Sequence, residues 1–280
     1  GEVLTNNHVI EGATSISVTV SGSSQRYSAV VVGTAPTEDL AVLRIQGVSG
    51  LEPVTLGDSS LVEVGDPVVA LGNAGGAGGA PDVRTGTVRA LDQTITAADQ
   101  NGSHPRTLLG MIQTDAPLQP GDSGGPLVNR SSEVIGIDTA AGRDRRFRSA
   151  DTVGFAIPSN RARSIAAQIQ SGQSRATVHI GAPGFLGVVL ADKAPAGTVT
   201  PGAGGGALVM AVEPGSPAAA AGLLAGVTIT AIDGQSLADA AATVSLVRSH
   251  HPGDTLMVSW TDSSNTTHTA PVTLAAGWAD

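Results

Sequence analysis

The 280-residue chain is 41% apolar and 14% charged, with a formal charge of −9 from 24 acidic and 15 basic side chains. That is enough apolar material for a core, and it excludes a disordered polyelectrolyte; the negative balance argues against a phosphate-binding surface. Six aromatics exclude a stacking platform for single-stranded nucleic acid, and zero cysteines exclude disulfides, thiolate zinc sites and a cysteine nucleophile.

The length suits about two domains of roughly 100–200 residues each. No stretch approaches the ~18 apolar residues needed to span a bilayer. The chain starts at Gly1 rather than at Met, so it is expected to be processed or truncated relative to its gene.

In chain order, short Val- and Ile-rich runs between Gly, Pro and Asp turns predict strands at Ser15–Val20, Ala29–Val32, Leu40–Ile45 and Pro67–Leu71, and again at Val134–Thr139 and Val153–Ile157. Runs of this length and turn density favour an all-β barrel or sandwich over βαβ units. Gly72–Gly79 is a loop lacking the terminal Lys-Ser/Thr of a phosphate-binding loop, so no nucleotide is expected. The period then changes over Ser159–Gln170, predicting a helix capped by Ser159 or Asn160 and ended by Gly172, with Ile165, Ala166 and Ile169 on one face. A second turn-rich region follows, flexible over Gly202–Gly206, with strands at Leu208–Val212, Val227–Ile232 and Leu256–Trp260 and a helix at Ala238–Ser249. A boundary near Gly172–Gly181 gives expected domains at 1–175 and 181–280.

The sharpest motif is Pro120-Gly121-Asp122-Ser123-Gly124-Gly125-Pro126. A serine between glycines sits in a tight turn with its hydroxyl accessible, and nearby backbone N–H groups can face a developing oxyanion. A free serine hydroxyl is a weak nucleophile and needs a base within reach. His8, where the apolar run ending in Leu4 breaks into a polar turn, is the candidate. The base needs a carboxylate to fix its tautomer, and Asp39, immediately before the strand Leu40–Ile45, fits. The order His, Asp, Ser is that of chymotrypsin-type enzymes rather than of subtilisins or α/β-hydrolases.

The segments LTNNHVIEGA, TEDLAVLRI, IQTDAPLQPGDSGGPLVN, VIGIDTA and GFAIP together resemble the HtrA/DegP family of trypsin-like serine proteases, over nearly all of residues 1–172. The resemblance implies a mostly β protein, a chymotrypsin-like double β-barrel followed by a PDZ domain. It implies His8 as base, Asp39 as its partner and Ser123 as nucleophile, with the oxyanion hole formed by the N–H groups of Gly121 and Ser123. Gly184–Val188 (GFLGV) is similar to the carboxylate-binding loop of a PDZ domain, so Phe185, Leu186, Gly187 and Val188 are expected to bind peptide ends. Val244, with Ala240 and Val247 on the helix beside that loop, would line the side-chain pocket, by addition of an extended peptide as a strand.

Several departures set further expectations. Only seven residues precede His8, so the first barrel is expected to lack its opening strands. Asp122 stands where HtrA proteins more often carry Asn. In digestive relatives that carboxylate pairs with a freshly cut amino terminus; no such activation segment is visible here, so Asp122 needs another partner or solvent. Val227 replaces an Asp common in this PDZ segment, with only a local surface change expected. Arg143, Arg145, Arg146 and Arg148 fall where the family places a regulatory loop, though a solvated loop is the plainer reading. Ile135 and Ile137 suggest an aliphatic specificity pocket and cleavage after Val or Ala.

The resulting expectation is an exported bacterial serine endopeptidase acting on unfolded or misfolded polypeptides in the cell envelope or outside the cell. It would need no metal or other cofactor and bind no nucleic acid. Its PDZ groove would take C-terminal peptides, and a homo-oligomer, a trimer, is implied by the family resemblance alone. The alternative is a non-catalytic, chaperone-like peptide-binding module, or an inactive fragment of such a protease.

Overall fold

The computed structural model describes residues 1–11, 13, 15–21, 25–76, 79–97, 106–139, 153–175, 177–191 and 205–276. The chain divides into two compact units, Gly1–Gly181 and Ala182–Ala279. The basic stretch holding Arg143 to Arg148 lies outside the described residues.

The first unit opens with β1 (Glu2–Thr5), β2 (Ser17–Thr19), β3 (Arg26–Ala35) and β4 (Leu40–Ile45). They form a five-stranded sheet in the order β1-β4-β3, completed by the short β11 (His179–Ile180) beside β3 and by β2, also on β3. The run LAVLRI of β4 is buried except at Arg44, the near-continuous apolar pattern of a strand covered on both faces. β1 pairs antiparallel to β4 from Glu2↔Arg44 to Thr5↔Ala41 and runs straight into a one-turn helix, α1 (Asn7–Ile10). The sheet is open among the described residues.

The next six strands close into a barrel in the order β10-β7-β6-β5-β8-β9. They are β5 (Pro67–Gly72), β6 (Asp82–Ala97), β7 (Arg106–Thr114), β8 (Pro126–Val128), β9 (Val134–Thr139) and β10 (Gly154–Pro158). Closure removes the unpaired edges that an open sheet exposes. Val68, Val88, Ile112, Leu127, Ile135 and Ala156, one from each strand, pack together as the barrel's filling. A second cluster joins Leu40 and Val42 of the first sheet to Met111, Ile137 and Phe155 and to the inner face of helix α2 (Ser159–Gln170), at Ala162, Ile165 and Ile169.

The helix has the expected span but not the expected cap. Its N-cap is Pro158, with no side-chain cap bond, because Ser159 Oγ donates instead to Gly57 O at 2.8 Å and Asn160 Nδ2 to Asp58 Oδ1 at 2.6 Å. Those long-range bonds tie the helix to the loop before the barrel. β6 and β7, which the sequence did not signal, pair with each other, and β6 is the longest strand of the unit among the described residues. Register shifts at three places bend β6, one of them beside Asp92, at φ 54°.

The second unit is built on a sheet in the order β13-β14-β15-β17-β18, from β13 (Val188–Ala191), β14 (Ala207–Val212), β15 (Thr228–Ile232), β17 (Thr255–Thr261) and β18 (Thr267–Thr273). Short β16 (Gln235–Ser236) extends β15, and β12 (Gly184–Phe185) pairs with β19 (Ala275–Ala276). Among the described residues, two helices complete it, α3 (Pro217–Ala220) and α4 (Ala240–Arg248). α4 starts later than expected because Asp239 caps it, its carboxylate accepting from Ala242 N–H at 2.7 Å. Val227 corrects an expectation: it is not a surface residue but is 7% exposed, packed with Val209, Leu223 and Ile229 in the core of this unit, where its apolar side chain belongs.

Candidate active site

Asp39 is built first, from backbone. The 3₁₀ turn Pro36–Glu38 delivers it to the head of β4 in the left-handed region, at φ 53° and ψ 40°, which Asp tolerates better than most residues. Its N–H donates to Pro36 O at 3.2 Å, and its carbonyl accepts from Asn7 N–H at 3.1 Å and Asn6 Nδ2 at 3.0 Å. The residue is fully buried. Its two carboxylate oxygens have different partners. Oδ1 accepts from the His8 backbone N–H at 3.0 Å, while Oδ2 sits 2.7 Å from His8 Nδ1 and accepts from Thr139 Oγ1 at 3.0 Å.

His8 therefore has its Nδ1 edge committed to a buried acid, with 27% of its side chain exposed. That bond fixes the proton on Nδ1 and leaves Nε2 free of it, which is the condition for a general base.

Ser123 lies half-buried in the turn between β7 and β8. Gly125 N–H donates to Asp122 O at 3.0 Å, so residues 122–125 form a β-turn with Ser123 and Gly124 at its corners. Gly124, at φ +85°, meets the demand of such a turn for positive φ at its third position. A Cβ there would also lie 2.2 Å from Thr5 Oγ1 and 3.4 Å from Asn6 N, so the turn presses directly on the segment that leads into His8.

β9 ties the pieces together. Asp138 accepts from Gly124 N–H and donates to Gly125 O, both at 2.8 Å, and the next residue, Thr139, bonds Asp39. Residues 8, 39 and 123 thus share one neighbourhood, although no hydrogen bond joins His8 to the Ser123 hydroxyl among the described residues. Such bonds are often long without substrate and tighten in the reacting complex. The N–H groups of Gly121 and Ser123 have no acceptor among the described residues, whereas the intervening Asp122 N–H donates to Gln119 O at 3.0 Å.

Asp122 has a partner the sequence did not reveal. Its Oδ2 accepts from Arg84 Nε of β6 at 2.9 Å. Beside it, Asp138 is fully buried with no hydrogen bond to either carboxyl oxygen, and burial, followed by the charge of Asp122, pushes its pKa well above the usual carboxylate range.

Ile135 and Ile137 are both buried but are not brought together. Ile135 belongs to the barrel filling with Ala116 and Leu118, while Ile137 faces the cluster under helix α2. Among the described residues no group of three or more His, Asp or Glu side chains could hold a metal ion.

In the second unit, Phe185, Leu186, Gly187, Val188 and Val244 all line one groove, with Val247 and Leu190. Ala240 is not among its lining residues; it sits at the first turn of α4, beyond the groove. β13, at the end of the sheet, and α4 form the groove's walls.

A trypsin-like peptidase fold and a PDZ fold are the two parts that these units define, and the family comparisons agree. Residues 1–137 match the trypsin-like peptidase domain family, and residues 208–261 match the PDZ domain family. The chain belongs to the HtrA family of serine proteases. It is 37% identical to serine protease PepD of Mycobacterium tuberculosis, over 98% of this chain and 58% of the relative. It is 33% identical to serine protease Do-like HtrA of Lactococcus lactis, over 99% of this chain and 68% of the relative. Periplasmic serine endoprotease DegP of Escherichia coli is 37% identical over 86% of this chain and 48% of its own length. The chain therefore spans between about half and two thirds of these relatives. Among solved structures, the HtrA-type protease AlgW with tripeptide matches with a TM-score of 0.52 and 32% identity, over 98% of this chain and 85% of the other.

Proposed function

We propose that the protein is a serine endopeptidase of the bacterial cell envelope, with residues 1–175 as its protease domain and 181–280 as its PDZ domain. It hydrolyses peptide bonds in unfolded or misfolded exported polypeptides. The observation that carries this reading is the 2.7 Å bond from His8 Nδ1 to a buried Asp39, beside a nucleophile turn pressed on Thr5 and Asn6. His8 takes the Ser123 proton as the hydroxyl attacks the scissile carbonyl, the Gly121 and Ser123 N–H groups receive the oxyanion, and His8 then protonates the leaving amine. Water activated by His8 releases the acyl group. No cofactor enters any of these steps.

The PDZ groove takes C-terminal peptides, whose backbone adds beside β13 while an apolar side chain enters between Val188 and Val244. Cleavage follows small aliphatic residues such as Val or Ala, in keeping with the pairing of Asp115, the carboxylate of the segment 115–118 before the nucleophile turn, with Arg89, which leaves it no free charge for a basic side chain. A peptide library whose cleaved position is dominated by Arg or Lys would refute that preference. The activity itself is tested with a fluorophosphonate probe and casein: the wild type should be labelled at Ser123, and Ser123→Ala should abolish both labelling and cleavage. Casein cleavage by Ser123→Ala at the wild-type rate refutes the assignment.

A further inference from the structure

Asp122 stands one residue before the nucleophile and is only 2% exposed. Its Oδ2 accepts from Arg84 Nε at 2.9 Å and from Gln119 N–H at 2.8 Å, and its own N–H returns to Gln119 O at 3.0 Å. Residues 119–122 are thereby drawn into a closed loop whose outside anchor is Arg84. That anchor is rigid at its base, since Arg84 pairs with Ala70 inside the barrel and its side chain is 17% exposed. On the other flank, Gly75 N–H donates to Pro120 O at 3.1 Å. Gly121, at φ +102°, leaves no room for a side chain, because a Cβ would lie 2.6 Å from Asn73 O.

The charge balance singles out Arg84. Asp122 Oδ1 and both carboxyl oxygens of Asp138 are buried without hydrogen-bond partners. Two carboxyl groups thus meet at this end of the barrel, and Arg84 is the cation bonded there among the described residues. Asp138 makes no hydrogen bond through its carboxyl group, and the guanidinium goes to Asp122. Without Arg84, the Asp122 carboxylate would keep one amide donor in a region from which water is excluded, a state that buried ions escape by moving or by taking a proton. Either response releases the loop 119–122, and with it the amides on both sides of Asp122.

We propose that Arg84 is a positioning residue for peptide hydrolysis: its ion pair with Asp122 holds the Gly121 and Ser123 amides in the arrangement that receives the oxyanion. The inference rests on the hydrolytic reading above. It makes the turn self-assembled in the folded chain, with the cation supplied by a neighbouring strand rather than by a cleavage event.

The test uses the full-length protein, a short fluorogenic peptide and a peptide aldehyde, which forms a tetrahedral adduct on the serine. Arg84→Met is expected to lower kcat by about 10²-fold with KM within about threefold, the loss seen when an oxyanion donor is displaced. Affinity for the aldehyde should fall by the same factor as kcat, which a general loss of stability would not produce. In an Asp122→Asn background the same substitution should cost less than about tenfold, because a neutral amide needs no counter-charge. Arg84→Gln gives the same readouts should Arg84→Met fail to fold. An unchanged kcat, a loss equally large beside Asp122→Asn, or a rise in KM at constant kcat each overturns the proposal. Wild type and Ser123→Ala run alongside. A wild type that neither labels nor cleaves sinks the hydrolytic reading and this one together, whereas an active wild type indifferent to Arg84 sinks only this one.

Discussion

Replacing Asp39 by Asn changes one atom and no volume, and the contacts around the carboxylate dictate which way the amide must sit. Oδ1 faces the backbone N–H of His8, which can only donate. The amide oxygen must therefore keep that place, and the NH₂ takes the place of Oδ2, facing Nδ1 of His8 and the Thr139 hydroxyl. The hydroxyl can turn to accept, but the imidazole can accept only by moving its proton to Nε2. The ring would then present a donor to Ser123 and could not take its proton. With position 39 itself fully buried, no water is available there to take the place of the lost acceptor. The loss expected for that wrong tautomer is about 10⁴-fold in kcat, or about 5 kcal/mol of barrier, with KM little changed. Steady-state hydrolysis of a peptide substrate, together with the rate of fluorophosphonate labelling, measures it. A variant within tenfold of wild type on both would refute the argument that Asp39 sets the tautomer.

Asp138 gives a pH prediction. Its folded pKa lies above the ordinary value of about 3.9, so the folded state holds the proton more tightly than the unfolded chain, and stability should decline as pH rises from about 4 through the folded value. Asp138→Asn cannot ionise and should flatten that decline, which thermal unfolding across pH would register; an unchanged slope would mean the carboxyl is not the cause. Val244→Asp puts a charge into the apolar groove and should weaken binding of a labelled peptide with an apolar C-terminal residue at least about tenfold, while leaving hydrolysis of a short peptide intact. Fluorescence anisotropy decides it, and an unaltered affinity would remove the groove from peptide recognition.

The sequence carried those parts of the fold whose pattern is local. Leu40–Ile45, Val134–Thr139 and Ser159–Gln170 have the bounds their apolar periods predict. The hairpin Asp82–Ala97 with Arg106–Thr114 was silent, because Arg, Thr, Asp and Gln interrupt its apolar alternation and its bulges shift the period. His8, Asp39 and Ser123 were legible because each sits at a turn of distinctive composition. Thr139 and Arg84 were not: a hydroxyl facing an acid 100 residues away, and a guanidinium 38 residues from its carboxylate, leave no trace in spacing. The helix cap failed for the same reason, since Ser159 spends its hydroxyl on Gly57.

One strand, Val134–Thr139, has two adjacent residues bonded to different machinery: position 138 to the nucleophile turn through its backbone, and position 139 to the acid through its side chain. A rigid ribbon cannot slide under one of these without shifting the other. Disturbance from any direction therefore reaches the Ser123 turn and Asp39 in step, so the centre should be lost or regained as a whole rather than dimmed piece by piece.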